Sequence, residues 1–160
     1  MMKRKDIFYN VSIGVMAAAI LIVVIFKFVV NKQPVDSFSI NGIENISVFD
    51  LDGTEFEMSH LISKNDEDYC LIFNLKDCHS CVFDGVAMLK KLRAEGKTCT
   101  GFVIHDNLED VNGWTINFEF RPFFMMKTLE FFDHIKSPIT PVLVKFKKQK
   151  VENYKYFTPH

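Results

Sequence analysis

The hydrophobic pattern divides the chain into one long apolar run and a series of short ones. From Ile7 to Val30 it is almost unbrokenly apolar, with Asn10, Ser12 and Lys27 as the notable interruptions. A run of that length spans a bilayer as a helix. After it, the stretch from Asn31 to Ser39 is short, polar and contains Pro34, and reads as a linker. Ile46–Leu51 and Thr54–Met58 then run apolar or alternate around Asp52-Gly53, which predicts a small hairpin. Tyr69–Leu75 is almost wholly apolar, as expected of a strand buried on both faces.

From Cys81 the apolar positions Val82, Phe83, Val86, Leu89 and Leu92 recur at three and four, predicting a helix that stops at Glu95-Gly96. Thr98–His105 resumes strand character. Strand, helix and strand in succession predict a right-handed parallel crossover, and so an α/β domain. Pro122 is expected in the first turn of a second helix over Phe123–Phe132, with Met125, Leu129 and Phe132 on its buried face. Phe123, Phe124 and Phe131 would widen its apolar circumference enough for a partner surface. Thr140–Phe146 and Val151–Phe157 alternate around Lys147–Lys150, predicting an antiparallel hairpin.

The organisation that follows is an N-terminal membrane anchor over 1–30, a linker over 31–39 and one domain over 40–160, with no room in 160 residues for a second catalytic domain. Charge orients the anchor. Lys3, Arg4 and Lys5 precede it, so the N-terminus is expected in the cytoplasm and the domain on the extracytoplasmic or periplasmic side of the inner membrane. No small-x-small site closes the apolar run, which favours an uncleaved single-pass anchor over a signal peptide. Lys3, Arg4, Lys5, Lys27 and Lys32 against Asp6 and Asp36 give the first segment +3, leaving −4 for the rest of a chain whose net charge is −1. A mildly acidic domain lacks the footprint that phosphate-backbone binding requires, so no nucleic-acid partner is expected. The lysines at 145, 147, 148 and 150 read as a solvated hairpin.

Among four cysteines, at 70, 78, 81 and 99, only Cys78 and Cys81 are closely spaced, and they stand where a strand turns into a helix. Unpaired N–H groups and the helix dipole at such a terminus favour negative charge, which lowers a thiol pKa and supplies an attacking thiolate at Cys78. Cys81, inside the first turn, would resolve the resulting mixed disulfide. A protonated His79 beside Cys78 would stabilise that thiolate further. The same pair also suits a static structural disulfide or half of a zinc site. Zinc needs two more ligands, and Cys70, Cys99, His60, His105 and His134 offer no second close pair. The histidines are read as structural or surface residues. Cys70 and Cys99 begin two strands expected to be neighbours, so they are either buried thiols or a second disulfide.

The order strand, Cys78-His79-Ser80-Cys81, helix, strand, helix, then Ile139-Thr140-Pro141 opening a strand resembles the thioredoxin fold, a central mixed sheet flanked by helices. With the anchor and the hairpin around Phe49-Asp50-Leu51-Asp52-Gly53, the chain more closely resembles membrane-tethered, TlpA-like thiol-disulfide oxidoreductases of the bacterial cell envelope, over residues 46–157. The resemblance implies a cis-proline at Pro141, which with Thr140 shapes a substrate groove facing the disulfide, and an acidic residue at Asp84 that moves a proton to or from Cys81. It implies envelope protein thiols or disulfides as substrates, a membrane or envelope thiol partner as electron donor or acceptor, and no bound cofactor. The chain departs from the family's pattern in Lys76-Asp77 before the first cysteine, in the His-Ser interior, and in the apparent lack of a C-terminal helix. Two alternatives stay open: a non-catalytic thioredoxin-like binding or accessory module, and a copper-handling protein using the two cysteines as soft ligands.

Overall fold

A seven-stranded sheet organises the computed structural model, which describes residues 38–64 and 66–159. The anchor expected over 1–30, and all but the last two residues of the linker, lie outside the described residues. Within them, no helix is long and apolar enough to cross a membrane.

The elements run β1 (Ser39–Ile40), a 3-10 turn at Ile43–Asn45, β2 (Ser47–Phe49), β3 (Glu55–Glu57), α1 (Met58–Leu61), β4 (Glu67–Asn74), α2 (His79–Ala94) and β5 (Thr98–Ile104). They continue through α3 (Leu108–Thr115), β6 (Phe123–Met126), α4 (Thr128–His134), β7 (Ile135–Lys136), β8 (Val142–Lys147) and β9 (Lys150–Tyr156). The sheet order is β3-β2-β6-β5-β4-β8-β9, and β1 pairs with β7 separately. β6, β5 and β4 are parallel, and antiparallel strands flank them on both sides. This is the mixed α/β sheet expected from the sequence, and both hairpins form where their turn residues predict. Asp50 closes the first by accepting the N–H groups of Asp52 and Thr54. Lys148 and Gln149, with φ of 53° and 61°, close the second in the left-handed pair that a two-residue hairpin needs.

Alternation along the central strands splits the core into two layers. Cys70 and Ile72 of β4, Phe102 and Ile104 of β5, and Val142, Val144 and Phe146 of β8 face one layer, which α4 closes with Phe131. Leu71 and Phe73, Val103, and Leu143 face the other, which α2 closes with Val82, Val86 and Leu89. Gly85 makes that second contact close, since a Cβ there would stand 2.7 Å from Leu71 Cδ1. Gly96, with φ of 82°, ends α2 in the left-handed conformation expected of it.

The expectations for Pro122–Phe132 fail. The helix assigned to Phe123–Phe132 is a buried strand over its first half. Phe123, Phe124, Met125 and Met126 are all buried, alternately on the two faces of the sheet, which is what four consecutive apolar residues serve in a central parallel strand. Pro122, joined to Arg121 by a cis peptide, stands just before that strand instead of opening a helix. The expected face is also reversed: Phe131 is buried, whereas Leu129 and Phe132 are 75% and 68% exposed. Phe123, Phe124 and Phe131 therefore belong to the core and offer no partner surface.

The crossover helix between β5 and β6 is α3, in a segment without a strong apolar period. Its signal was the cap: Asn107 Oδ1 accepts the Glu109 N–H at 2.9 Å, and Glu109 and Asp110 occupy the first turn.

Candidate active site

β4 ends at Asn74, a turn over Leu75–Asp77 reverses the chain, and α2 begins at His79. The turn is held by its own side chains. Asn74 Oδ1 accepts the Lys76 N–H at 2.9 Å, and Asp77 Oδ2 accepts the Asn74 N–H at 2.7 Å. Cys78 is the N-cap of the 16-residue α2, and its carbonyl accepts the Val82 N–H at 3.1 Å. The expected helix start at Cys81 therefore moves back by two residues.

Cys78 and Cys81 form a disulfide with Cα atoms 5.2 Å apart. The two sulfurs are inequivalent, because Cys78 is partly exposed while Cys81 is buried against Val82 and Val86. The Cys81 N–H points at the Cys78 sulfur at 3.4 Å, and Ser80 Oγ lies 3.1 Å from it. A disulfide sulfur carries no proton, so the Ser80 hydroxyl donates. Two donors and a helix N-terminus thus converge on the Cys78 sulfur, where charge appears when the bond is reduced. Ser80 was not singled out from the sequence, because a serine in a first helical turn is ordinary; its place between two cysteines was the available signal.

His79 follows Cys78 at the surface. Its ring stacks on Phe83 with centroids 6.0 Å apart and leans on Trp114 of α3 at 5.5 Å. Phe118 closes the ring of contacts, 5.0 Å from Phe83 and 4.7 Å from Trp114. Trp114 carried no sequence signal for this place, which depends on α3 docking beside α2.

Thr140 and Pro141 come to the same end of the sheet. Their peptide bond is cis, as the resemblance implies, and the Thr140 hydroxyl donates to Asp77 Oδ1 at 2.9 Å. Pro141 O accepts the Phe157 N–H at 3.0 Å. Asp84 lies on the surface of α2 one turn beyond Cys81, in a cleft of about 430 Å³ that it shares with Met88, Lys155, Tyr156, Phe157 and Thr158.

Cys70 and Cys99 are buried free thiols. In the β4–β5 ladder Tyr69 opposes Cys99 and Cys70 opposes Thr100. One residue of offset sends the two side chains to opposite faces of the sheet, so the alternative of a second disulfide is excluded. Burial raises both thiol pKa values, that of Cys70 well above the ordinary range. His60, His105 and His134 pair with Glu57, Asp110 and Glu130, each on its own segment. Among the described residues, no group of three or more His, Cys, Asp or Glu is placed to hold a metal ion.

Comparison by sequence finds no matching family model and no matching curated protein. Comparison by structure does find neighbours. A solution structure of a thiol:disulfide interchange protein from Bacteroides superposes with a TM-score of 0.56 at 13% identity, covering 69% of this chain and 76% of that one. A secreted Mycobacterium tuberculosis disulfide oxidoreductase homologous to E. coli DsbE gives 0.53 at 11% identity, over 74% and 87%. A thioredoxin-like protein from Porphyromonas gingivalis gives 0.52 at 10% identity, over 74% and 82%. The fold is thioredoxin-like.

Proposed function

We propose that this chain is a membrane-tethered thiol-disulfide oxidoreductase that exchanges disulfides with proteins of the cell envelope. The observation that carries the reading is the unequal Cys78–Cys81 pair at the start of α2: a partly exposed cysteine whose sulfur is served by two donors, and a buried one three residues on. Solved structures of the same fold include a thiol:disulfide interchange protein and a disulfide oxidoreductase, which supports the same chemistry here.

In the reductive direction the Cys78 thiolate attacks one sulfur of a substrate disulfide, forming a mixed disulfide and releasing the other substrate sulfur as a thiolate. Cys81, deprotonated, then attacks Cys78. This closes the Cys78–Cys81 disulfide, releases the second substrate thiol, and moves two electrons to the substrate. A second dithiol protein of the membrane or envelope restores the reduced pair by the same steps in reverse. Run backwards overall, the sequence oxidises substrate thiols.

Each remaining residue has a role in this reading. His79, when protonated, adds positive charge beside Cys78. Asp84, one turn beyond Cys81 on α2, exchanges the Cys81 proton with solvent. Thr140 and Pro141 border the groove in which the substrate cysteine lies. The apolar run at Ile7–Val30, behind Lys3-Arg4-Lys5, supports a single-pass inner-membrane anchor with the domain outside the cytoplasm.

Equilibration with glutathione buffers, followed by thiol trapping, measures the reduction potential of the pair, and insulin reduction measures turnover. A defined potential together with turnover is expected. A pair that never exchanges with glutathione would overturn the enzymatic reading. Protease added to intact spheroplasts should remove the domain, and protection there would overturn the topology.

A further inference from the structure

The substrate-side segment Thr140–Pro141 is secured unequally on its two sides. Toward β9 it has a backbone hydrogen bond, Phe157 N–H to Pro141 O at 3.0 Å. Toward β4 the ladder gives out: the last registered pair is Ile72 with Val142, and β4 continues through Phe73 and Asn74 without a β8 partner. Proline has no N–H with which to extend it. A side-chain pair takes over at that point. The Thr140 hydroxyl donates to Asp77 Oδ1 across 63 residues of sequence, and Asp77 Oδ2 is fixed in turn by the Asn74 N–H. One half-buried carboxylate therefore joins the end of β4, the turn before Cys78 and the residue before the cis-proline.

We propose that Asp77 is a positioning residue, a latch that sets the spacing between Cys78 and the Thr140–Pro141 segment and thereby the fit of a disulfide-containing polypeptide between them. The inference rests on the oxidoreductase reading. A small disulfide reaches the Cys78 thiolate without touching the Pro141 segment, whereas a polypeptide must align its backbone there before its sulfur lines up with Cys78. Loss of the latch therefore lowers reactivity toward polypeptides more than toward small disulfides.

The test uses the full-length reduced protein and compares rates with a disulfide-bridged peptide and with oxidised glutathione. In D77A and in T140V the ratio of the two rates is expected to fall about tenfold, the loss of one hydrogen bond to a carboxylate. The double variant should fall no further than either single one, and T140S, which keeps the hydroxyl, should retain the wild-type ratio. Should D77A fail to fold, the near-isosteric T140V decides. A wild-type protein inert toward both substrates would overturn the oxidoreductase reading and the latch with it. An active wild-type protein whose ratio is unchanged in T140V, or equally reduced in T140S, would overturn the latch alone.

Discussion

The Ser80 hydroxyl lies 3.1 Å from the Cys78 sulfur, which the Cys81 N–H also reaches at 3.4 Å. In the reduced protein this hydroxyl faces a thiolate, and a hydrogen bond to a charged group is worth at least about 1.5 kcal/mol. Removing it with Ser80→Ala is expected to raise the Cys78 pKa by about one unit. Because the thiolate belongs to the reduced state, the potential should move about 30 mV more negative. Thiolate absorbance against pH reads the first and glutathione equilibration the second; an unchanged pKa would show that the serine is a bystander.

The difference in exposure between Cys78 and Cys81 assigns the order of attack. Cys81→Ser, incubated in reduced form with a disulfide substrate, is expected to accumulate a mixed disulfide through Cys78, visible as a shifted band on a non-reducing gel. Cys78→Ser should form none. Trapping through Cys81 instead would reverse the assigned roles.

Asp68 couples stability to pH. It is 2% exposed; its Oδ2 accepts the Ser63 N–H at 2.8 Å, and its Oδ1 has no hydrogen-bond partner among the described residues. Burial raises its pKa above 3.8, and the nearby Asp66 adds to the effect. With the folded value above the unfolded one, the folded state holds its proton more tightly, so stability is lost as pH rises from about 4 through the raised value. Asp68→Asn keeps an acceptor for Ser63 and removes the charge. Its urea midpoint should exceed that of the wild type at pH 7, with the advantage fading in acid. A shift of equal size at both pH values would contradict this.

Gly101 leaves room for a ring. It opposes Phe123 in the β5–β6 ladder, and a Cβ at Gly101 would overlap the Phe123 ring, which is itself fully buried. Gly101→Ala is therefore expected to cost about 1–3 kcal/mol through overpacking. Gly113, in α3, is the control, because among the described residues nothing beyond its own helix backbone and chain neighbours lies within 4 Å of an added Cβ there. Gly113→Ala should stabilise by up to about 1 kcal/mol. Chemical denaturation of both variants checks the contrast.

Local signals made much of this protein legible before its structure. The turn pairs at Asp52-Gly53 and around Lys148, the alternation in β8, and the three-and-four spacing after Cys81 each report on a few neighbouring residues, and each led to the element observed. The run Phe123–Met126 misled because an unbroken apolar stretch suits a buried helix and a two-sided strand equally, and only the neighbouring strands decide between them. α3 was missed because its eight residues include Asn112 and Gly113, poor helix formers, and its stability comes from packing Val111 and Trp114 under the sheet.

By itself the sequence determined the α/β class, the position of the cysteine pair at a strand-to-helix turn, and a proline at the head of β8, since all three follow from periodicity and residue type within short windows. The tertiary structure decided which groups act on those cysteines. Register put Cys70 and Cys99 on opposite faces and left Cys78–Cys81 as the disulfide. The return of β8 beside β4 brought Thr140 onto Asp77, and the docking of α3 set Trp114 against His79. These contacts join residues tens of positions apart, and their geometry depends on the packing of the whole sheet, which no local pattern of side chains encodes.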